Sequence, residues 1–258
     1  MVSNAVHSSA RLSNQEPCAV LECVSPQTYR GVMKALGARR LSSSFSRGRL
    51  ELPTRIEGVP WKAYKEFLAA WGDQHVRHIY DQGLLEIMSP LKSHDWIKRL
   101  ISRFIETMSL DQRIEIQSIG STTITSDLAE RGFEADESYY ISSEPKVRGK
   151  MDFDPDIDPP PDLIIEIDVT SSSESRFVLF AAMKVPEVWR HDSRKLTFFV
   201  RSRSGTFREA THSKAFPFLE PGDITRFLAL HSSMSENDLV RRFVRWARRK
   251  SKQLPKQD

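Results

Sequence analysis

The sequence predicts an α/β (α+β) domain in which a mixed central β-sheet is flanked by helices. Three observations predict it. Apolar periodicities follow one another in the order helix, two strands, helix, three strands, helix, three strands, with no internal repeat. The helical stretches are apolar along one stripe only, so each must lie against another layer. One strand-like run, 162–169, alternates apolar residues with acids, which puts a polar face on a sheet that otherwise belongs to the core.

The body of the domain begins near Leu52. Residues 60–72, "PWKAYKEFLAAWG", place Trp61, Tyr64, Phe67, Leu68 and Trp71 at helical spacing, with Gly72 as the stop. Residues 76–88, "VRHIYDQGLLEIM", read as a hairpin turning at 81–83. A second helix spans 93–110: Ser93 caps it, and Trp96, Ile97, Leu100, Ile101, Phe104, Ile105 and Met108 form its buried stripe. Strands follow at 113–120, 134–141 and 161–169, separated by a loop at 142–160 too rich in Pro, Asp and Lys for regular structure. A helix over 172–185 and strands at 186–192, 195–202 and 206–210 complete the sheet.

Composition bounds the rest. The chain has 258 residues, 39% hydrophobic and 28% charged, enough for one sizeable core. No apolar run approaches the roughly 18 residues that would span a bilayer. The two cysteines, Cys18 and Cys23, supply neither a disulfide framework nor a four-cysteine zinc site, and a reducing, cytoplasmic compartment is the expectation. Net charge is +4, but basic residues gather at the two ends and leave an acidic middle. Residues 1–50, with nine serines and scattered arginines, read as a mostly disordered extension of transit-peptide-like composition; 51–235 form the domain; 236–258 form a basic helix and tail. In that tail Arg241, Arg242, Arg245, Arg248 and Arg249 either neutralise nucleic-acid phosphates or simply make a solvated face.

Chemistry concentrates on the acidic strand. Asp162, Ile164, Glu166 and Asp168 share one face, Leu163, Ile165, Ile167 and Val169 the other, and Glu166 and Asp168 stand roughly 6.6 Å apart along the strand. On the preceding strand Glu134 and Asp136 are in the same i, i+2 relation. Antiparallel pairing of the two strands would gather three or four carboxylates at one place. So many hard oxygen ligands suit Mg²⁺ or Mn²⁺. Two other arrangements account for the same acids: a face open to water, or neutralisation by Arg131, Arg148 and Arg176.

The blocks "YDQGLLEIMSPLKSHDWIKRLISRFIE", "IGSTTIT", "RGFEADESYYI", "PPPDLIIEIDVTSSS" and "AAMKVPEVWRHD" resemble the Uma-two family of putative restriction endonucleases, within the PD-(D/E)xK nuclease superfamily. The resemblance covers about residues 52–230. It implies a restriction-endonuclease-like core and metal-dependent hydrolysis of DNA phosphodiester bonds with Mg²⁺ or Mn²⁺. Carried over position by position, it makes Asp136 the first-strand aspartate and Glu166 the acid of the triplet, with Asp168 beside them as a further ligand. Asp162 is a supporting ligand or strand-entry residue, and Glu134 and His94 are supporting positions. The triplet's lysine is replaced by Asp168, and Arg176 stands where relatives put a substitute lysine; Lys184 is another possible donor. Arginine stabilises charge at phosphorus but stays protonated, so it cannot serve as a base. A catalytically impaired nuclease fold that binds nucleic acid or protein is therefore the alternative reading. A homodimer would match the two strands of a duplex.

Overall fold

A computed structural model describes residues 54–71, 77–88, 92–151, 153–167, 174–192 and 194–253. The extension at 1–50, both cysteines and Asp168 lie outside the described residues, as do the side chains of Trp71, Ser93 and His94.

Two sheets form the frame. The first has strand order β1-β3-β2-β6-β5 and the second β11-β10-β9-β8-β7-β4. The first begins with β1 (Thr54–Ile56), after which α1 (Trp61–Trp71) runs across its outer face. Strands β2 (Arg77–Asp81) and β3 (Leu84–Met88) make the expected hairpin, and its two turn residues, Gln82 and Gly83, take φ of 44° and 104°. Positive φ at both turn positions matches the right-handed twist of the flanking strands. Helix α2 (Lys92–Gln112) follows, then β4 (Gln117–Ser118), β5 (Thr123–Ser126), β6 (Arg131–Glu134) and β7 (Glu137–Tyr140). Gly132 is needed on β6, because a Cβ there would stand 2.5 Å from the Tyr64 hydroxyl of α1.

The one-turn helix α3 (Glu144–Val147) interrupts an otherwise irregular loop that leads to β8 (Leu163–Ile167). Helix α4 (Glu174–Ala182) connects β8 to β9 (Glu187–His191), and these two strands pair in parallel. The strands β10 (Leu196–Arg201) and β11 (Phe207–Ala210) and the helices α5 (Pro221–Leu228) and α6 (Glu236–Ser251) complete the chain. Every other neighbour in the second sheet is antiparallel, so this is the mixed sheet that the sequence predicts.

The alternation of β8 decides the packing. Leu163, Ile165 and Ile167, with Trp189 and Phe198 of the neighbouring strands, bury against Leu100, Phe104 and Met108 of α2, Ile224 and Phe227 of α5, and Leu239, Phe243 and Ala247 of α6. Ile164 faces the other way, with Val188, onto Leu179 and Phe180 of α4 and onto Ile79, Ile124 and Phe133 of the first sheet. The layers are thus α1, first sheet, a middle layer containing α4, second sheet, and α2 with α5 and α6. Burying the five large side chains named on α2 and α6 alone removes enough apolar surface, at about 2 kcal/mol each, to make α6 integral to the core.

Three expectations about elements differ from the structure. The run 134–141 is not one strand: the chain leaves the first sheet after Glu134, passes through buried Ala135 and Asp136, and enters the second sheet at Glu137. The bend at Asp136 carries neither Gly nor Pro, so the residue types alone could not reveal it. The run 113–120 pairs only at Gln117–Ser118, because α2 closes just before it with Arg113 at φ 58° and the Ile114 N–H on the Ser109 carbonyl. Finally β1, β5, β6 and α5 carry too few periodic positions to have been seen. Among the described residues no helix is long and apolar enough to cross a membrane.

Candidate active site

Strands β7 and β8 pair antiparallel with Glu137 opposite Ile165 and Tyr139 opposite Leu163, so the start of one meets the end of the other. Asp136, just ahead of β7, thereby falls beside Glu166. Its Oδ2 accepts the Ile167 backbone N–H at 2.5 Å, which ties the crossover to the end of β8. Both acids are buried, Asp136 to 2% and Glu166 to 5% exposure. Glu137, one residue on, points to the opposite side, where the hydroxyls of Ser118 and Ser102 donate to its two oxygens.

Two buried carboxylates so placed need compensating charge, and two arginines supply it. Arg176, in the first turns of α4, donates from Nη1 to Glu166 Oε2 at 2.7 Å. Arg77, the first residue of β2, reaches from the other sheet and pairs its Nη1 with Asp136 Oδ1. Its Nη2 lies 3.9 Å from Asp95 on α2. Burial lowers the Arg77 pKa, while Glu166, Asp95 and Glu134 pull it up and Arg176 adds to the lowering. Of the three arginines considered from sequence, only Arg176 meets the central acids. Arg131 pairs with Asp81 and Arg148 with Glu144. Arg77 was missed, since an arginine opening a strand carries no local mark of its distant partner.

The remaining predicted residues spread around this centre. Glu134 ends β6, and burial pushes its carboxyl up to about 7 against the pull of Arg77 and Lys98. His78 Nδ1 stands 3.7 Å from Glu134 Oε2, and its ring packs between Tyr64 and Phe67. Asp162 is engaged elsewhere: its carboxylate accepts the backbone N–H groups of Ile141 and Ser143 at 2.8 Å each and the hydroxyls of Ser142 and Ser143 at 2.7 and 3.2 Å. Lys184 closes α4 at φ 60°, with its own N–H on Ala181 and the Val185 N–H on Phe180. It stands eight residues past Arg176, roughly 12 Å away along the helix direction. Arg190, opposite Glu166 in the parallel register, lies over the rings of Phe177 and Phe199.

Among the described residues no group of three His, Cys, Asp or Glu side chains is arranged to hold a metal ion. The central donors nevertheless fit a hard divalent cation in kind, being carboxylate oxygens on adjacent strands. Arg77 and Arg176 stand on them as cations, so such an ion would compete with a guanidinium.

The basic helix presents two faces. Arg241 pairs with Asp238, Arg248 with Asp111 across to α2, and Lys250 with Glu220 and Asp223. Arg242, Arg245 and Arg249 are exposed, and among the described residues no ion pair engages them. At i, i+3 and i+7 they share one solvent-facing stripe.

Compared with known families, residues 61–249 match the model of Uma2, described as "Putative restriction endonuclease". No curated protein matches the chain. A crystal structure of a putative nuclease belonging to DUF820 from Anabaena variabilis ATCC 29413 is similar over 65% of this chain and 90% of that one, at 16% identity and a TM-score of 0.40.

Proposed function

We propose, from the premise that this chain belongs to the Uma2 family of putative restriction endonucleases, that it is a metal-dependent endonuclease hydrolysing phosphodiester bonds of DNA. The observation that carries this reading is the pairing of Asp136 with the end of β8, which sets it beside Glu166 in a buried, arginine-lined pocket of charge. Asp136 and Glu166, with Asp168 next along the chain, would hold Mg²⁺ or Mn²⁺. When bound, the ion supplies Lewis acidity toward water and toward the phosphate oxygens.

The chain's own residues do the rest. Arg176 orients Glu166 and, always protonated, offers charge to the developing oxyanion; it cannot take a proton from water. The Ile167 N–H holds Asp136 in place. Asp162 acts at strand entry, organising the 141–143 turn rather than binding metal. Glu134 flanks the site, and His94 would be a supporting residue. Arg242, Arg245 and Arg249, with Arg241 and Arg248 beside them, contact backbone phosphates without reading sequence. A homodimer would let two such sites address both strands of a duplex.

The test is nicking of supercoiled plasmid by the purified chain with Mg²⁺, with Mn²⁺, or with EDTA, alongside Asp136→Asn and Glu166→Gln. These neutral substitutions keep the shape of a buried site and an oxygen that accepts from the arginine, where alanine would remove both. Metal-dependent nicking, reduced at least about 10³-fold in either variant, is expected; equal activity in a folded variant would sink the assignment. A second reading, a nucleic-acid-binding protein without catalysis, is favoured by one observation: the side chain that donates to Glu166 Oε2 is an arginine, Arg176, and not a lysine. Salt-sensitive DNA binding with no nicking in any metal would select it.

A further inference from the structure

Resting on the nuclease reading, the question left by the site is how a divalent ion enters a place where two carboxylates are already balanced by two guanidiniums. The two arginines are not equivalent. Arg176 and Glu166 are both nearly enclosed, with side-chain exposures of 10% and 7%, and belong to consecutive elements, α4 and β8. Arg77 comes from the opposite sheet, and its fork lies between two acids of different kind: Asp136, 2% exposed, on Nη1, and Asp95, 54% exposed, on the side of Nη2. A guanidinium has donors on both edges and can exchange one carboxylate for another by rotating a few torsions. Leaving Asp136 bare in the interior is unfavourable unless another cation takes its place.

We infer that Arg77 is the resident cation of Asp136, and that an incoming divalent ion displaces it onto Asp95. The exposed acid on α2 is then part of the metal site's energetics although it never touches the ion. Arg77 and Asp95 are positioning residues in this scheme, acting through Asp136.

Manganese binding to the full chain, measured by calorimetry, tests the inference through a double-mutant cycle. Arg77→Met removes the competitor, and affinity should rise on the order of tenfold. Asp95→Asn removes the landing place, and affinity should fall by a comparable factor. Decisively, Asp95→Asn should change nothing in the Arg77→Met background, because no guanidinium remains to be received. If its effect there is as large as in the wild type, the two residues act only as independent point charges and the displacement is wrong. Mn²⁺ bound by wild type and Arg77→Met with equal affinity also overturns the inference while leaving the nuclease reading intact; no binding by either overturns both. Should Arg77→Met fail to fold, the Arg77 side-chain ¹⁵Nε resonance in labelled protein reports the same event. It is expected to shift on Mg²⁺ addition in wild type and much less in Asp95→Asn, and a resonance that stays fixed in wild type sinks the proposal.

Discussion

Asp136, Glu137 and Asp162 are chemically near-identical side chains within one small region, and each is assigned by its donors. Asp136 takes a backbone N–H of β8 and an arginine, Glu137 two serine hydroxyls, and Asp162 four groups of a single turn. The alternation of β8 was legible in sequence, and within the strand it holds: Leu163, Ile165 and Ile167 face one core cluster and Ile164 the other. It could not say that the 141–143 turn folds over Asp162, because that turn is local to a different stretch of chain. Replacing Asp162 with Ala leaves two half-buried backbone donors without their acceptor, at about 1–3 kcal/mol each. We expect a loss of roughly 3 kcal/mol in urea denaturation, with Mn²⁺ affinity of the folded variant within a factor of about two of wild type. A loss of metal binding with stability unchanged would return Asp162 to the ligand set.

Elements were legible where the period was long. Helix α2, the β2–β3 hairpin, β8 and α4 stand where periodicity places them, because each buries one face over several turns or residues. The crossover at Ala135 and Asp136 was not, since its bend carries neither Gly nor Pro to mark it. The 211–219 segment, which has no period at all, is held to the sheet by Phe216, Phe218 and Leu219 in the core and by the hydrogen bonds of one acid. Glu187 of β9, fully buried, accepts Trp189 Nε1 at 2.8 Å and the Ala215 N–H at 2.7 Å. Glu187→Ala orphans both donors and opens a cavity, so a destabilisation of about 3–4 kcal/mol is expected by thermal or chemical unfolding. A change under about 1 kcal/mol would mean that the segment is anchored by its apolar contacts alone.

Across the whole molecule, charge and packing divide α6 between two tasks. Leu239, Phe243 and Ala247 lock one side into the core, and Arg242, Arg245 and Arg249 line the side that faces water. Because these arginines carry no folding load, Arg242→Gln/Arg245→Gln/Arg249→Gln should keep stability within about 0.5 kcal/mol. It should also lower the slope of log affinity for duplex DNA against log salt by up to about 3, one phosphate contact being worth about 0.9. Fluorescence anisotropy across a salt series measures it, and an unchanged slope would leave the stripe as a solvated face. The sequence by itself determined the acidic face of β8, the helical stripes, and the division of the chain into basic ends and acidic middle, all of which follow from spacing along a single stretch. Only the tertiary structure decided that Asp136 leaves one sheet to meet another, that Asp162 is consumed by a turn, and that Arg77 and Arg176 are the cations on the central acids. The reason is physical: periodicity tells which face of an element must be covered, whereas the identity of the group covering it depends on layers brought together from distant parts of the chain.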